Sequence, residues 1–479
     1  MSDHYDLVVI GAGPAGEKGA AQAAYFGKRV CVVERAPRPG GAAINTGTIP
    51  SKTLRETALH FSQLRQRGLY GVDVHVQPNI TIADFMYRER SVVEAEWQLI
   101  NENFARHQVT VVQGAATIVD PHAVEVLRYR EEPQRLNADV ILVATGSRPQ
   151  RPEHFPFDDE IVVDSDSVLS LAEIPARMVV LGGGVIGCEY AAIFAALGVR
   201  VTLVNARSRL LSQLDHEASE TLRSELTRRL GVQVLLGADA AAVRVEGDDK
   251  KVGVVRLTDG TELVADCVLV TLGREGNTGA LGLEGAGVRV NERGFVLVDD
   301  HYRTTVPSIY AAGDVVGFPA LASTSMEQAR VAVCHAFELK YKQQLSNIIP
   351  YGVWTIPEIA CVGETEDSAR EKGISFETGK ASFRLNARGQ IIGDLDGFVK
   401  LVFRREDQRL LGCTIVGENA CELIHVAAAV LAFDGTLDYF IQSVFNYPTL
   451  GDAYKYAAYD GLQRLARRVS NTAGLPRVG

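Results

Sequence analysis

Long hydrophobic runs are missing from this 479-residue chain. None of its apolar stretches approaches the ~18 residues that a membrane-spanning helix needs, which argues against an integral membrane protein and against a membrane partner. Residues 1–5 are polar and lead directly into a predicted strand, so no signal peptide is expected. These absences favour a cytoplasmic protein.

Metal-binding patterns and an excess of basic charge are also missing. The seven cysteines form no Cys-x-x-Cys pair, and none of the ten histidines pairs with another at a metal-ligand spacing, so we predict no metal site. Most cysteines are interpreted as small apolar core residues. With 49 basic and 59 acidic residues, the net charge is −10. A nucleic-acid-binding surface should be basic, so a nucleic-acid partner is not expected.

What the chain does contain is a glycine-rich turn near its start. Residues 6–10 predict a buried parallel strand, the turn Gly11, Gly13 and Gly16 follows, and a helix and a second strand ending in Glu34 come next. The first glycine allows the tight turn, the second lets a pyrophosphate approach the backbone, and the third lets helix and strand pack closely. A carboxylate at Glu34 can hold ribose hydroxyls. This pattern predicts a dinucleotide-binding unit.

A second copy of this pattern lies 171 residues further along the chain, counted from Gly11 to Gly182. Residues 178–181 predict a strand, and Gly182, Gly184 and Gly187 form the turn before a helix and the strand 199–204. The internal repeat predicts two nucleotide-type ligands in one chain and an α/β fold.

The position that should carry the second ribose-binding acid holds Asn205 instead, and Arg207 and Arg209 follow it. A carboxylate there favours NAD(H), because it accepts a bond from the 2′-hydroxyl and repels a 2′-phosphate. Asn205 is neutral and can donate and accept, and either arginine could pair with a 2′-phosphate. We therefore expect a site that tolerates both NADH and NADPH. The alternative is that both arginines lie on a solvated loop.

Four further segments match a known family. They are residues 40–52, which end in Gly-Thr-Ile-Pro-Ser-Lys; residues 140–147, with Thr145 and Gly146; residues 268–278, with Gly273; and residues 304–314, which end in Gly313 and Asp314. Together with the two glycine turns, they resemble the FAD-dependent pyridine nucleotide–disulfide oxidoreductases, such as dihydrolipoamide dehydrogenase and glutathione reductase. The resemblance spans roughly residues 5–466.

The resemblance implies an α/β protein with two Rossmann-like dinucleotide-binding domains, for FAD and NAD(P), plus a C-terminal α+β dimerisation domain. The expected boundaries are 1–150 with 275–347 for FAD, 151–274 for NAD(P) and 348–479 for the dimerisation domain. It implies FAD as cofactor, NAD(H) and NADP(H) as substrates, and a homodimer or higher homo-oligomer. The expected cofactor-binding residues are Gly11, Gly13, Gly16, Glu34, Lys52, Thr145, Gly146, Gly313 and Asp314 for FAD, and Gly182, Gly184, Gly187, Asn205, Arg207 and Gly273 for the dinucleotide.

The chain departs from the family at its redox centre. Relatives carry two cysteines in the segment that ends at Lys52, and they form the disulfide that takes electrons from the flavin. Ala43 and Thr48 stand at those positions. Relatives also carry a His-Pro pair and a Glu near the C-terminus, where Tyr447 and Asp452 stand here. Because both the disulfide and its acid–base partner are missing, electrons are expected to leave the flavin by another route.

The branch of the family that the chain resembles most is the soluble, Si-specific pyridine nucleotide transhydrogenases. The implied activity is ping-pong hydride transfer from NADPH to NAD⁺ through the flavin, with Lys52, paired to Glu189, as the catalytic residues near flavin N5. An NAD(P)H-dependent quinone or dye reductase is the alternative on the same scaffold. A non-enzymatic FAD-binding protein is a third possibility, against which the intact second nucleotide unit argues.

Overall fold

A computed structural model of the chain describes residues 3–62, 80–128 and 132–472. The strands form sheets of seven, five, three, two and five strands. We name the body around the seven-stranded sheet the first nucleotide unit, the body around the parallel five-stranded sheet the second nucleotide unit, and the part that follows residue 348 the C-terminal unit.

The first nucleotide unit begins with a strand that is apolar on both faces, because Leu7, Val8 and Val9 are fully buried. The strand order is β3-β2-β1-β6-β5-β4, with β1, β2, β3 and β6 parallel and β4 and β5 antiparallel. The elements are β1 (Asp3–Ile10), α1 (Pro14–Tyr25), β2 (Val30–Glu34), α2 (Gly41–Asn45), α3 (Thr48–Phe61), α4 (Ile82–Arg106), β3 (Thr110–Gln113), β4 (Ala115–Asp120), β5 (Ala123–Leu127), β6 (Gln134–Val143) and β7 (Ser147–Pro149).

The second nucleotide unit repeats this arrangement. Its central sheet has the order β11-β10-β9-β15-β8 and is parallel throughout, and β12, β13 and β14 form an antiparallel sheet beside it. The elements are β8 (Val162–Val163), β9 (Arg177–Leu181), α5 (Val185–Ala196), β10 (Arg200–Asn205), α6 (His216–Arg228), β11 (Gln233–Leu236), β12 (Ala240–Glu246), β13 (Val252–Leu257), β14 (Glu262–Ala265) and β15 (Cys267–Val270). In both units the strand before the glycine turn is central, which confirms the predicted repeat.

The chain then returns to the first nucleotide unit. The elements are β16 (Arg274–Gly276), β17 (Ile309–Ala311) and α7 (Ala322–Ala336). β16 pairs antiparallel with β7, so the two connections between the units run side by side, and β17 joins the edge of β6. α7 packs on α1 at Gly19, where an added Cβ would lie 3.3 Å from Ala329 Cβ of α7 and 2.8 Å from Leu142 Cδ2 of β6. Glycine at this position therefore permits the close approach of the layers.

The C-terminal unit is an antiparallel sheet covered by helices. Its strand order is β18-β19-β22-β21-β20. Its core includes Phe440 and Tyr454, whose rings stack with centroids 5.1 Å apart. The elements are β18 (Tyr351–Val353), β19 (Ile359–Gly363), α8 (Glu366–Glu371), β20 (Phe376–Ser382), α9 (Ala387–Ile392), β21 (Phe398–Arg404), β22 (Leu410–Val416), α10 (Ala420–Ala432), α11 (Leu437–Gln442) and α12 (Ala453–Thr472). The predicted fold class is confirmed.

A buried lysine joins the C-terminal unit to the second nucleotide unit. Lys400 on β21 is 6% exposed, and its Nζ lies 3.0 Å from Asp215 Oδ2 and 3.3 Å from Glu217 Oε2. Glu366 of α8 is a third ion-pair partner. Burial alone would lower the pKa of Lys400, but Asp215 and Glu366 outweigh it and the pKa is raised. Lys400 thus stays charged at neutral pH, and its ion pairs with Asp215 and Glu217 hold the two units together.

Within the three described ranges, every helix is too short or too polar to cross a bilayer.

Candidate active site

The glycine turn of the first nucleotide unit has a shape that only glycine permits. Gly11 has φ +103°, and an added Cβ would lie 2.5 Å from Ala144 O. A Cβ on Gly16 would lie 1.8 Å from Gly11 O, whereas one on Gly13 would make only an ordinary contact with Gly41 Cα at 3.7 Å. α1 begins at this turn without a side-chain cap from any described residue. Its first N–H groups are therefore available to an anion such as a pyrophosphate.

Two carboxylates flank that turn. Glu34, at the end of β2, accepts hydrogen bonds from Ala12 N at 2.7 Å and Ala36 N at 2.8 Å, so its side chain is held beside the turn. Asp314 follows Gly313, whose φ is +86°, and accepts a bond from Ser147 Oγ at 3.0 Å. The turn, the free helix start and the two acids fit a dinucleotide cofactor of the FAD type.

Thr145 and Gly146 lie at the crossing between the nucleotide units. Thr145 Oγ1 donates to Asn277 O at 2.9 Å, Asn277 Nδ2 donates back to Thr145 O at 3.0 Å, and Asn277 N donates to Gly146 O at 3.0 Å. Gly273 O accepts a bond from Gln150 N at 3.0 Å. These predicted site residues therefore also join the two antiparallel connections between the nucleotide units.

The second glycine turn lines a cavity of about 330 Å³ at the C-terminal end of the parallel sheet. Gly182 has φ +112°, and a Cβ on Gly187 would lie 1.9 Å from Gly182 O. Around Gly184 there is open space, and α5 begins there without a cap from a described side chain. Gly273 lines the same cavity. The cavity lies where open parallel sheets bind their ligands, at the point where strand order reverses.

Asn205 lines this cavity, but its side chain is committed to the loop around it. Its Oδ1 accepts a bond from Gly183 N at 3.1 Å, and its Nδ2 donates to Arg207 O at 3.0 Å and Arg209 O at 3.1 Å. Both amide hydrogens are thus used. Asn205 therefore stabilises the loop. Toward a ribose hydroxyl it can still accept a hydrogen bond at Oδ1, but it has no amide hydrogen left to donate.

The two arginines of this loop differ in their surroundings. Arg207 is exposed, and its Nη1 donates to Ser212 Oγ at 2.6 Å. Arg209 is partly buried, with Nη2 donating to Ser212 O at 2.6 Å and Nη1 lying 3.2 Å from Asp367 Oδ2 of α8. The guanidinium of Arg209 therefore anchors the loop to the C-terminal unit, while that of Arg207 stays at the cavity wall.

Lys52 and Glu189 meet although 137 positions separate them in sequence. Lys52 Nζ on α3 lies 2.8 Å from Glu189 Oε2 on α5, with side-chain exposures of 25% and 5%. The other oxygen, Oε1, accepts a bond from Trp354 N at 2.9 Å. Both predicted catalytic side chains are brought together, and the buried carboxylate has a partner on each oxygen, as a buried charge requires.

Trp354 is a site residue that sequence reasoning missed. Its ring lies 5.0 Å from Lys52 Nζ, within range of a cation–π contact. Arg55, one turn after Lys52, holds the same segment: its Nε donates to Thr355 O at 2.9 Å and its Nη2 lies 3.3 Å from Glu358. Trp354 is one of two tryptophans in the chain and lies near the start of the C-terminal unit. Its contact with Lys52 is made only in the folded protein, so the sequence gives no local signal for it.

The positions of the missing disulfide lie close to Lys52 along the chain. Ala43 is in α2 and Thr48 begins α3. Each of the seven cysteines, all within the described residues, is a free thiol. Burial raises the pKa of Cys188 and Cys413, so these thiols stay protonated. Tyr447, where relatives carry His, is 75% exposed on the C-terminal unit.

Comparisons with known proteins agree with this geometry. Residues 5–336 match the family model "Pyridine nucleotide-disulphide oxidoreductase", and residues 349–458 match its dimerisation domain. The chain is 43% identical over 462 residues to a soluble pyridine nucleotide transhydrogenase of Mycobacterium tuberculosis, covering 96% of this chain and 98% of the relative. It is 40% identical to the enzyme of that name from Azotobacter vinelandii, with 96% and 99% covered.

Solved structures have the same fold. LpdA from Mycobacterium tuberculosis superposes with a TM-score of 0.87 at 29% identity, covering 95% of this chain and 99% of that one. The HOCl-induced flavoprotein disulfide reductase RclA from Escherichia coli gives a TM-score of 0.84 at 27% identity, with 95% and 99% covered. With a family model that spans most of the chain and full-length relatives above 30% identity, the chain belongs to the pyridine nucleotide–disulphide oxidoreductase family.

Proposed function

We propose that the protein binds FAD and transfers hydride from NADPH to NAD⁺, as a soluble pyridine nucleotide transhydrogenase. The observation that carries the proposal is the pairing of two complete dinucleotide units with a redox loop that holds Ala43 and Thr48 where a dithiol would stand. Such a chain can accept hydride from a nucleotide but has no thiol pair in that loop to pass it on. The names of the full-length relatives support the same activity.

The residues fall into two groups in this proposal, one for the flavin and one for the nucleotide. Gly11, Gly13, Gly16, Glu34 and Asp314 would hold FAD. A further set, Lys52, Thr145, Gly146 and Gly313, completes the flavin site, and Gly182, Gly184, Gly187, Asn205, Arg207 and Gly273 form the nucleotide site. Bound flavin supplies reversible two-electron hydride chemistry.

Lys52 is the cation of the proposed flavin site. Its ammonium is fixed by Glu189 Oε2 at 2.8 Å and by the Trp354 ring, so it is pre-oriented before any nucleotide enters. A fixed cation of this kind stabilises negative charge that develops on reduction. Hydride exchange needs no general acid or base from the chain, which is consistent with Tyr447 in place of the family's histidine.

One nucleotide cavity has to serve both substrates. NADPH would bind at the second glycine turn and leave as NADP⁺, and NAD⁺ would then bind at the same turn, which gives ping-pong kinetics. The cavity of about 330 Å³ carries no carboxylate at position 205 to exclude a 2′-phosphate.

The same proposal covers domains, assembly and location. We assign residues 1–150 with 275–347 to FAD, 151–274 to NAD(P) and 348–479 to the dimerisation domain. The seven-stranded sheet, with strands between 3 and 143 and at 309–311, and the strands at 162–270 support these bounds. A homodimer is supported by the match of residues 349–458 to a dimerisation domain. A cytoplasmic location is supported by the word "soluble" in the names of the relatives.

An anaerobic half-reaction test separates this function from a quinone reductase. The purified holoenzyme is reduced with one equivalent of NADPH, and thio-NAD⁺ is then added while the flavin band and reduced thio-NAD are followed. Rapid flavin re-oxidation with stoichiometric thio-NADH is expected. Flavin that stays reduced until a quinone is added would reject the transhydrogenase and favour an NAD(P)H-dependent quinone reductase.

A further inference from the structure

Charged side chains of both signs line the nucleotide cavity. Arg207, Arg209 and Asp239 are the charged residues in its lining. Arg209 is neutralised by Asp367 at 3.2 Å and donates to Ser212 O, so it is directed into the loop. The charges that remain at the cavity wall are one cation, Arg207, and one anion, Asp239.

Asp239 sits next to the loop that carries Arg207, although sequence places it 32 positions later. It follows β11, and two backbone bonds join the loops: Gly237 N donates to Arg207 O and Ala238 N donates to Asn205 O, each at 3.1 Å. The side chain of Asp239 is exposed, with Oδ1 accepting a bond from Ala240 N at 2.9 Å. Its carboxylate therefore belongs to the same wall as the arginine.

The residue expected from sequence to discriminate between nucleotides cannot do so by charge. Asn205 is neutral, and its two amide hydrogens go to the carbonyls of Arg207 and Arg209. A 2′-phosphate, which is negatively charged, is instead affected by the full charges around it. The full charges at the cavity wall that can act on a 2′-phosphate are those of Arg207 and Asp239.

We propose that Asp239 is a specificity-determining residue that opposes Arg207. Arg207 and the Ser212 hydroxyl attract the 2′-phosphate of NADP(H), and Asp239 repels it, so that neither nucleotide is strongly preferred. The inference rests on the proposed function, in which both nucleotides use this cavity. A ping-pong enzyme gains from this balance, because a product held too tightly would block the second substrate.

Ser212 supports the role of Arg207. Its hydroxyl lines the cavity and accepts the bond from Arg207 Nη1 at 2.6 Å, so its own hydrogen is free to be donated onward. One of the five guanidinium N–H donors is used in this contact, and a phosphate oxygen can accept from others. The pair thus forms an anion-binding wall beside the carboxylate of Asp239.

The test uses two non-reactive fragments on the oxidised holoenzyme. Calorimetry compares adenosine 2′,5′-bisphosphate with 5′-AMP, which lacks the 2′-phosphate. Asp239→Asn should strengthen bisphosphate binding about fivefold and change 5′-AMP binding by less than about twofold. Arg207→Gln should weaken bisphosphate binding about 10- to 100-fold and leave 5′-AMP nearly unchanged. High salt should reduce both effects.

The matched control is Asp249→Asn, which removes the same charge from an exposed residue outside the cavity lining. It should leave the ratio of the two affinities unchanged. Retained FAD absorbance and an unchanged melting temperature verify that each variant is folded. If Asp239→Asn changes the affinity for both fragments by the same factor, Asp239 acts on the adenine that they share, and the proposal is overturned. The proposal is also overturned if neither affinity changes.

The outcome is distinguishable from a failure of the proposed function. Fragment binding requires no hydride transfer, so a shifted affinity ratio stands even if thio-NAD⁺ fails to re-oxidise the flavin. Conversely, a working hydride exchange with an unshifted ratio would leave the transhydrogenase intact and reject the role of Asp239 alone.

Discussion

Glu189 lies in the second nucleotide unit and accepts hydrogen bonds from both of the other units. Its Oε2 is 2.8 Å from Lys52 Nζ of the first nucleotide unit, and its Oε1 is 2.9 Å from the backbone N of Trp354 in the C-terminal unit. At 5% exposure the carboxylate is largely out of water, so losing either partner would leave a buried charge poorly compensated. The position of Lys52 is therefore set by the packing of all three units.

Replacing Lys52 should impair chemistry more than cofactor binding. We expect Lys52→Ala to slow flavin reduction by NADPH about 100-fold, because a fixed charge near the reacting centre is lost, while FAD stays bound. Anaerobic stopped-flow absorbance gives the rate. The exposed Lys340 provides the control Lys340→Ala, which should reduce at the wild-type rate.

The double variant Lys52→Ala/Glu189→Gln distinguishes lost catalysis from an unpaired Glu189. If it regains thermal stability but remains slow, the lysine acts on the reaction. A normal reduction rate in Lys52→Ala would remove Lys52 from the mechanism.

The fold could be predicted because local sequence patterns indicate it. A glycine turn between a buried strand and a helix is typical of a dinucleotide-binding unit. Its steric reason is visible at Gly16 and Gly187, where an added Cβ would lie 1.8 and 1.9 Å from a carbonyl oxygen. The repeat of that turn predicted two similar sheets, and the structure contains both. Such patterns depend on neighbours in sequence, which a sequence shows directly.

The residues around the nucleotide cavity and Lys52 could not be fully predicted, because their roles depend on tertiary contacts. The substitution at Asn205 was visible, but the commitment of its amide to Arg207 O and Arg209 O required the folded loop. Asp239 reaches the site from the turn between β11 and β12, and Trp354 reaches it from the C-terminal unit. The pairing of Lys52 with Glu189 was anticipated only from family resemblance, since nothing local in either helix points to the other.

The ring of Trp354 should position Lys52 without contacting a nucleotide itself. Trp354→Leu keeps the backbone N–H to Glu189 and removes a cation–π contact worth about 0.5–2 kcal/mol. We expect flavin reduction to slow about two- to tenfold with KM for NADPH unchanged. Trp354→Tyr, which retains an aromatic face, should restore most of the rate. A loss shared equally by the leucine and tyrosine variants would indicate a packing role only.

Glu89 gives a pH-dependent prediction. It is 6% exposed in α4, and burial raises its pKa, an effect that the nearby Arg90 partly offsets. The pKa of Glu89 is higher in the folded protein than in the unfolded chain. Above the folded pKa the carboxylate is ionised in both states, and its burial lowers the free energy of unfolding. Below the unfolded pKa, at about 4.3, it is protonated in both states and this cost disappears. Glu89→Gln should therefore raise the free energy of unfolding by about 1 kcal/mol at pH 7.5.

The gain from Glu89→Gln should shrink as the pH falls toward 5, measured by thermal unfolding of the holoenzyme. Glu94→Gln, on the same helix but with an exposed side chain at 55%, is the control and should change stability by less than about 0.5 kcal/mol. A benefit of Glu89→Gln that grows on acidification would contradict the assigned sign.

The C-terminal unit leaves large apolar side chains in solvent, which predicts where a second copy binds. Val444 is 95% exposed, Phe433 87% and Leu385 85%, and all three lie within the match to a dimerisation domain. Val444→Asp would bury a charge in such an interface, so the dimer should dissociate at least about 100-fold more readily in sedimentation velocity. Tyr25→Asp, at an aromatic residue that is 73% exposed on the first nucleotide unit, should stay dimeric. Dissociation by Tyr25→Asp but not by Val444→Asp would place the interface on the first nucleotide unit instead.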